Sequence, residues 1–146
     1  MATRARDAGP LAREIPHTAD LGFEVEAPTL AALFERAGLA MLALMTDLAV
    51  LEPHEQLALA VDADDLDALM HDWLHALLVQ FQAYGFAACE IALEEVSERH
   101  LHGRARGVRV DPARHPVYTE IKGVTYHQLA VRRTADGWWT RVIFDV

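Results

Sequence analysis

Leu66, Leu69, Met70, Trp73, Leu74, Leu77, Leu78 and Phe81 recur at the three- and four-residue spacing of one helix face, and no other feature constrains the fold so tightly. A stripe of that width must be buried against another layer. Asp64 is placed to cap this helix, expected over about residues 65–83, and Gly85 to stop it. A second stripe comes earlier, at Leu30, Leu33, Phe34, Ala37, Met41, Leu44, Met45 and Leu48, with Thr29 as N-cap, and predicts a helix over about residues 30–47. Gly38 interrupts it, at roughly 1 kcal/mol relative to Ala, and Glu35 reads as part of its solvated face.

Strand patterning fills the remainder. Asp20-Leu21-Gly22-Phe23-Glu24-Val25-Glu26 alternates polar and apolar residues after a Pro16 turn, and Gln56-Leu57-Ala58-Leu59-Ala60-Val61 follows the first helix. After Gly85, residues 89–96, 101–110, 117–126, 127–133 and 138–146 are β-rich, divided by Ser97-Glu98-Arg99-His100, Asp111-Pro112 and Ala135-Asp136-Gly137. Helices early and consecutive strands late imply an α+β fold, two helices packed on a largely antiparallel sheet. With 146 residues and 52% apolar composition, residues 14–146 suffice for one domain, and residues 1–13 read as a disordered tail.

A net charge of −9 argues against a continuous basic face for nucleic acid, leaving only a local patch at Arg104, Arg106 and Arg109. The single Cys89 excludes an internal disulfide framework and a zinc–cysteine cluster, which fits a reducing cytosol. The apolar run 39–45 is too short to span a bilayer, and the first 13 residues lack the apolar core of an export signal. A cytoplasmic location, with no membrane partner, is the expectation.

Three aspartates then stand out, because each sits where a bare negative charge costs stability. Asp20 falls at a strand entrance. Asp145 faces the same side of the last strand as Ile143, within reach of the terminal carboxylate of Val146. Asp47 closes the first helical stripe, where an acid opposes the macrodipole by roughly 0.3–1 kcal/mol. Singly, each has an ordinary reading: a turn residue, a solvated helix end, a loose tail. If the last strand pairs beside the first, Asp20 and Asp145 become neighbours on the sheet rim. With the end of the first helix packed over that rim, three carboxylates without a soft ligand would suit calcium, magnesium or manganese. Lys122 is the one lysine among 13 basic residues, all others being arginine. A position that stays Lys in such a chain suggests a need for a compact point charge.

Other motifs carry less. His71-Asp72-Trp73-Leu74-His75 has the i, i+4 histidines of a zincin helix, but Asp stands where the Glu base belongs and no third ligand is evident, so polar flanks of the apolar stripe are the better reading. Asp62, Asp64, Asp65 and Asp67 fail the calcium-loop register, since Asp67 falls where Gly is required, and fit the start of the second helix instead. His17 could ligate a metal or serve as an acid/base, though beside a proline turn it is as readily a backbone partner. No phosphate-cradling glycine loop or nucleophile motif occurs.

Pro16-His17-Thr18-Ala19-Asp20, Thr29-Leu30-Ala31-Ala32-Leu33-Phe34-Glu35, Met45-Thr46-Asp47, Ile121-Lys122-Gly123-Val124-Thr125-Tyr126-His127 and Phe144-Asp145-Val146, in that order, resemble the archease family, and the likeness spans nearly the whole chain from about Glu14. The family comprises small α+β accessory proteins that activate the tRNA-splicing RNA ligase joining cyclic- or 3′-phosphate ends to 5′-hydroxyl ends. The resemblance implies a non-catalytic activator that assists ligase guanylylation and multiple turnover and meets RNA only through the ligase. It places Asp20, Asp47 and Asp145 at a metal site, calcium ahead of magnesium or manganese, and Lys122 at a basic functional position; Val146 is a further candidate ligand and His17 a further candidate functional residue. Gly123 stands where the family more usually has alanine. Two other readings compete: a stand-alone metal-dependent phosphoesterase using the same acids with His17 as general acid or base, and a small binding module whose acids are surface charge. The oligomeric state is not legible.

Overall fold

A computed structural model describes residues 2–5, 11–15 and 21–146. Its elements are β1 (Thr3–Arg4), β2 (Arg13–Ile15), β3 (Leu21–Ala27), α1 (Leu30–Met45), a 3-10 turn (Leu48–Val50), β4 (Glu55–Asp62), α2 (Leu66–Tyr84), β5 (Phe86–Val96), β6 (His100–Arg109), β7 (Gly123–Val124), β8 (Ala130–Arg133) and β9 (Trp138–Asp145).

Every strand pairing is antiparallel, as expected, but the strands divide into two sheets rather than one. The first has the order β1-β5-β6-β4. The second runs β2-β3-β9-β7, with β8 also on β9. β7 pairs with the end of β9 and β8 with its start, both along the edge opposite β3. α1 touches β5 and β3 and so joins the two sheets, while α2 packs on α1, β5, β4, β7 and β8. The apolar stripes therefore meet in one core: Leu33, Phe34, Ala37 and Met41 of α1, Leu69, Met70, Trp73, Leu74 and Leu77 of α2, and Phe23, Ile91, Val142 and Phe144 of the strands are all buried. Trp73 is fully covered, and its Nε1–H donates to the Phe34 carbonyl at 2.9 Å, so the indole N–H has a buried acceptor.

Both helices start as their caps direct. Thr29 Oγ1 accepts from the Ala32 N–H at 3.1 Å. In α2 the cap is Asp65, not Asp64: Asp65 Oδ1 accepts from the Ala68 N–H at 2.8 Å. Gly85 ends α2 in the left-handed conformation, φ 69°, with its N–H on the Phe81 carbonyl. Asp67 reaches outward from the first turn and accepts the Val131 N–H at 2.8 Å, tying α2 to β8.

Further expectations change. Within the stretch expected as a tail, Thr3 and Arg4 pair with Ile91 and Glu90 of β5. Glu35 is not on a solvated face. It is 4% exposed and accepts from the Leu93 N–H at 2.8 Å and the Thr3 hydroxyl at 2.7 Å, so its burial is matched by two donors from distant segments. Residues 117–126, expected as a strand, form only β7 and an isolated bridge between Thr46 and Val117. The reason is competition for donors: Tyr118 N–H and Thr119 N–H bond the Met45 and Leu44 carbonyls at the end of α1, leaving no regular ladder to a strand. The next strand starts at Ala130 rather than 127, because Gln128 at φ 55° and the Leu129 N–H to Tyr126 carbonyl bond make a turn.

Candidate functional site

The rim forms where β9 ends. Gly123 registers with Asp145 and Val124 with Phe144. The Lys122 N–H donates to the Asp145 carbonyl at 2.7 Å, which fixes the backbone of the one lysine against the last strand. Both side chains are exposed. On the other edge of β9, Leu21 registers with Phe144. The sequence-predicted Asp20 and His17 lie outside the described residues, but Leu21 follows Asp20 in the chain just as Phe144 precedes Asp145.

Asp47 lies just past the end of α1. α1 ends at Met45 with Thr46 as its C-cap, so Asp47 is not the last residue of the helix. It caps the 3-10 turn instead, accepting the Ala49 N–H at 3.1 Å. That hydrogen bond, rather than an uncompensated clash with the dipole, accounts for an acid at this point. The segment 117–122 then links the end of α1 to the end of β9. Thr46 Oγ1 donates to the Pro116 carbonyl at 2.7 Å, Tyr118 and Thr119 hold the helix carbonyls, Ile121 is buried, and Lys122 holds Asp145. Three residues separate Thr119 from Lys122, a span of at most roughly 11 Å.

α2 secures this segment from the inside. Gln82 Nε2 donates to the Ile121 carbonyl at 3.0 Å, and His71 Nε2 lies 3.0 Å from the Val124 carbonyl. The Thr125 N–H and hydroxyl both donate to the Ile143 carbonyl, at 3.1 and 2.8 Å. Tyr126 stacks on His71, ring centroids 4.0 Å apart, and its hydroxyl is held above the usual phenol range by burial first and by the charges of Asp72 and Asp65 next. His71 therefore connects α2 to β7 and is half-buried rather than a surface flank. With Nδ1 on Asp72 at 2.9 Å and Nε2 on Val124, neither nitrogen of His71 points to a shared ion with His75, which argues further against the zincin reading.

Among the described residues, no three His, Cys, Asp or Glu side chains stand close enough to share an ion. The three-aspartate set includes Asp20, so that geometry bears only on Asp47 and Asp145. What fits a hard cation is the donor chemistry: carboxylate oxygens, one of Asp47's already oriented by a backbone N–H.

Sequence reasoning missed several exposed apolar side chains. Val50 of the 3-10 turn, Val117 and Tyr118 beside Thr46, and Val146 after Asp145 are large apolar side chains left exposed. Helical and strand periods carry no signal for them, since all four lie outside the α-helices and strands. Elsewhere, Glu24 is held below the usual carboxylate range by its hydrogen bond to Arg13, opposed by burial and aided by Arg141, and serves to tie β2, β3 and β9 together. None of the described helices is long and apolar enough to cross a membrane.

Comparison with known proteins bears on the whole of this arrangement. The sequence model of the Archease protein family matches residues 13–146. The protein archease of Methanopyrus kandleri is 36% identical over 136 residues, covering 91% of this chain and 97% of its own. That of Methanosarcina acetivorans is 35% identical over 136 residues, covering 90% and 93%. In solution, protein 1598 of Methanobacterium thermoautotrophicum has the same fold, with a TM-score of 0.77 and 29% identity over 92% of this chain and 98% of its own. The crystal structure of an archease from Thermotoga maritima, with a TM-score of 0.66, 23% identity and coverage of 92% and 96%, agrees in fold. From Arg13 to the last strand, through both helices and the Lys122–Asp145 rim, this chain belongs to the archease family.

Proposed function

We propose that this chain is a non-catalytic accessory protein of the tRNA-splicing RNA ligase, the enzyme that joins 3′-phosphate to 5′-hydroxyl ends, and that it promotes ligase guanylylation and multiple turnover. The observation that carries this reading is the Lys122 N–H to Asp145 carbonyl bond, which sets the lone lysine's backbone against an acid at the end of β9, next to the exposed Val146. Apolar surface next to a charged cluster suits a protein partner. Asp20, Asp47 and Asp145, with an oxygen of Val146, would hold a hard divalent cation there, calcium ahead of magnesium or manganese. Bound, that ion would neutralise the mutual repulsion of the acids. Lys122 adds a compact positive charge for a phosphate or carboxylate of the partner, and His17, three residues before Asp20, belongs to the same functional set. RNA is met through the ligase, in keeping with the net charge of −9, and the work is cytoplasmic.

The test is an assay of the purified chain alone and with its cognate ligase. Alone it neither ligates RNA nor hydrolyses phosphate esters; added in small amounts, it raises ligase turnover. Robust phosphate-ester hydrolysis by the chain alone, lost in Asp47→Ala, would replace this reading with a phosphoesterase.

A further inference from the structure

β4 closes one end of the first sheet, and among the described residues no strand pairs with its outer edge. It spans Glu55–Asp62, whereas the other described edge strands, β1, β2, β7 and β8, are short. Edge strands are normally kept from pairing by shortness, by charges or proline, or by bulges. β4 has none of these devices in its middle. Leu57-Ala58-Leu59-Ala60-Val61 carries neither charge nor proline, and the register with β6 runs unbroken from Glu55 opposite Gly107 to Asp62 opposite His100.

The backbone groups along that edge follow from the ladder to β6. The Ala63 N–H donates to the Arg99 carbonyl at 2.9 Å and continues the register by one residue, so the odd-numbered residues of β4 bond to β6. The N–H and C=O groups of Gln56, Ala58, Ala60 and Asp62 therefore point outward. Side chains add a second condition. Leu57, Leu59 and Val61 are half-buried against the core, while Ala58 and Ala60 are exposed on the opposite face. A strand completing this edge must present outward groups in the same phase and put apolar residues on the core side.

β4 meets both conditions when turned about a two-fold axis through Leu59. Antiparallel pairing there sets Leu57 opposite Val61, Leu59 opposite its own copy, Ala58 opposite Ala60 and Gln56 opposite Asp62, with about eight N–H···O bonds between the outward groups. Just past the strand ends, the exposed His54 of each copy falls opposite the exposed Asp64 of the other, giving a histidine–acid pair on both sides. An axis through Ala58 would instead set the Glu55 carboxylate across from Val61. An axis between the two residues would turn every side chain to the wrong face.

We infer that β4 is a self-association edge, through which two copies of this chain pair antiparallel about Leu59 and join their first sheets into one. A single strand pair is a small interface, below about 1,200 Å², so the dimer is weak and reversible rather than obligate. The edge belongs to the first sheet and the Lys122 rim to the second, so the dimer stands or falls apart from the ligase reading.

Sedimentation velocity of the full chain, from micromolar to low-millimolar concentration, should show a monomer giving way to a dimer. Ala58→Pro removes an outward N–H and no bond to β6, a substitution that edge strands tolerate. By symmetry it deletes that donor from both copies, which should weaken the dimer about tenfold or more while the melting temperature of the dilute monomer holds. Cross-linking checks the register independently of that variant. Facing residues of a non-hydrogen-bonded pair stand about 4.5 Å apart at Cα, within disulfide reach, so Leu59→Cys should oxidise to a linked dimer and Ala58→Cys should not. The native Cys89 is buried. A monomer at every concentration overturns the proposal, whether the edge stays bare or is taken by an extended segment of another protein. So does a dimer that Ala58→Pro leaves intact, or cross-linking by Ala58→Cys in preference to Leu59→Cys.

Discussion

Gly38→Ala sets two effects of opposite sign against each other inside α1. On helix propensity alone, replacing an interior glycine by alanine stabilises by about 1 kcal/mol. At this position, however, the new Cβ would lie 2.7 Å from Leu77 Cδ1, 3.2 Å from Ile91 Cδ1 and 3.3 Å from Trp73 Nε1. Carbon atoms in contact normally stand about 3.5–4.0 Å apart. The Leu77 methyl must therefore retreat by roughly 1 Å, in a core whose packing leaves few voids larger than a water molecule. It has little room, since Leu77 is 1% exposed, Ile91 and Trp73 are 0% exposed, and the indole is held by its bond to the Phe34 carbonyl. Overpacking of this kind costs about 1–3 kcal/mol. The balance is a net loss of about 1 kcal/mol, which lowers the melting temperature of a domain this size by roughly 2–4 °C. Thermal melting, paired with urea unfolding to confirm an unchanged m value, measures it. The clash also predicts coupling: Leu77→Ala should cost less in the Gly38→Ala background than in the wild type, by about 0.5–3 kcal/mol. A rise in melting temperature on Gly38→Ala would refute the packing account and leave propensity as the whole effect.

Burial is the chief reason that the Glu35 carboxyl is held above its ordinary value of 4.5, against the hydrogen bonds from Leu93 and Thr3. The native state therefore binds that proton more tightly than the unfolded chain, so the stability it contributes is fully present below about 4.5 and is lost as pH rises through the folded value. Glu35→Gln should leave stability nearly unchanged in acid and raise it relative to wild type at neutral pH, in melts run across that window; a pH-independent difference would contradict this. His71→Ala should speed amide exchange at Lys122 and Thr125, whose N–H groups lie on the segment held by His71, while amides of the α2 core stay protected; uniform exchange changes would mean that His71 acts on the whole fold.

Helices and most strands were legible because each encodes its own buried face. The stripe from Leu66 to Phe81 and the alternation from Leu21 to Glu26 depend on local periodicity, and α2 and β3 fall where it puts them. Glu35 was not legible, because its two donors lie 58 and 32 residues away in sequence, at Leu93 and Thr3. The same holds for Gly38: propensity marks a defect, whereas the fold uses the missing Cβ to bring α2 and β5 close to α1. Division into two sheets is a tertiary outcome, set by α1 touching both, and no local pattern announces it. At the rim, the conditional pairing of first and last strands was met by β3 and β9. That Lys122 should bond Asp145 came from no periodicity, since residues 117–122 spend their donors on helix ends and strand ends.

The central claim is that Lys122 and Asp145 act together on the ligase, and multiple-turnover RNA ligation by the cognate ligase tests it most directly, with wild type, Lys122→Arg and Asp145→Ala each titrated in and each melted over a range of calcium. Wild type should raise turnover. Lys122→Arg should impair that activation although net charge is kept, because a guanidinium is larger and directs its donors differently, yet its melting temperature should still rise with calcium as a native-state ligand requires. Asp145→Ala should lose both activation and the calcium-dependent rise, while being more stable than wild type without metal. Full activation by both variants would contradict the account.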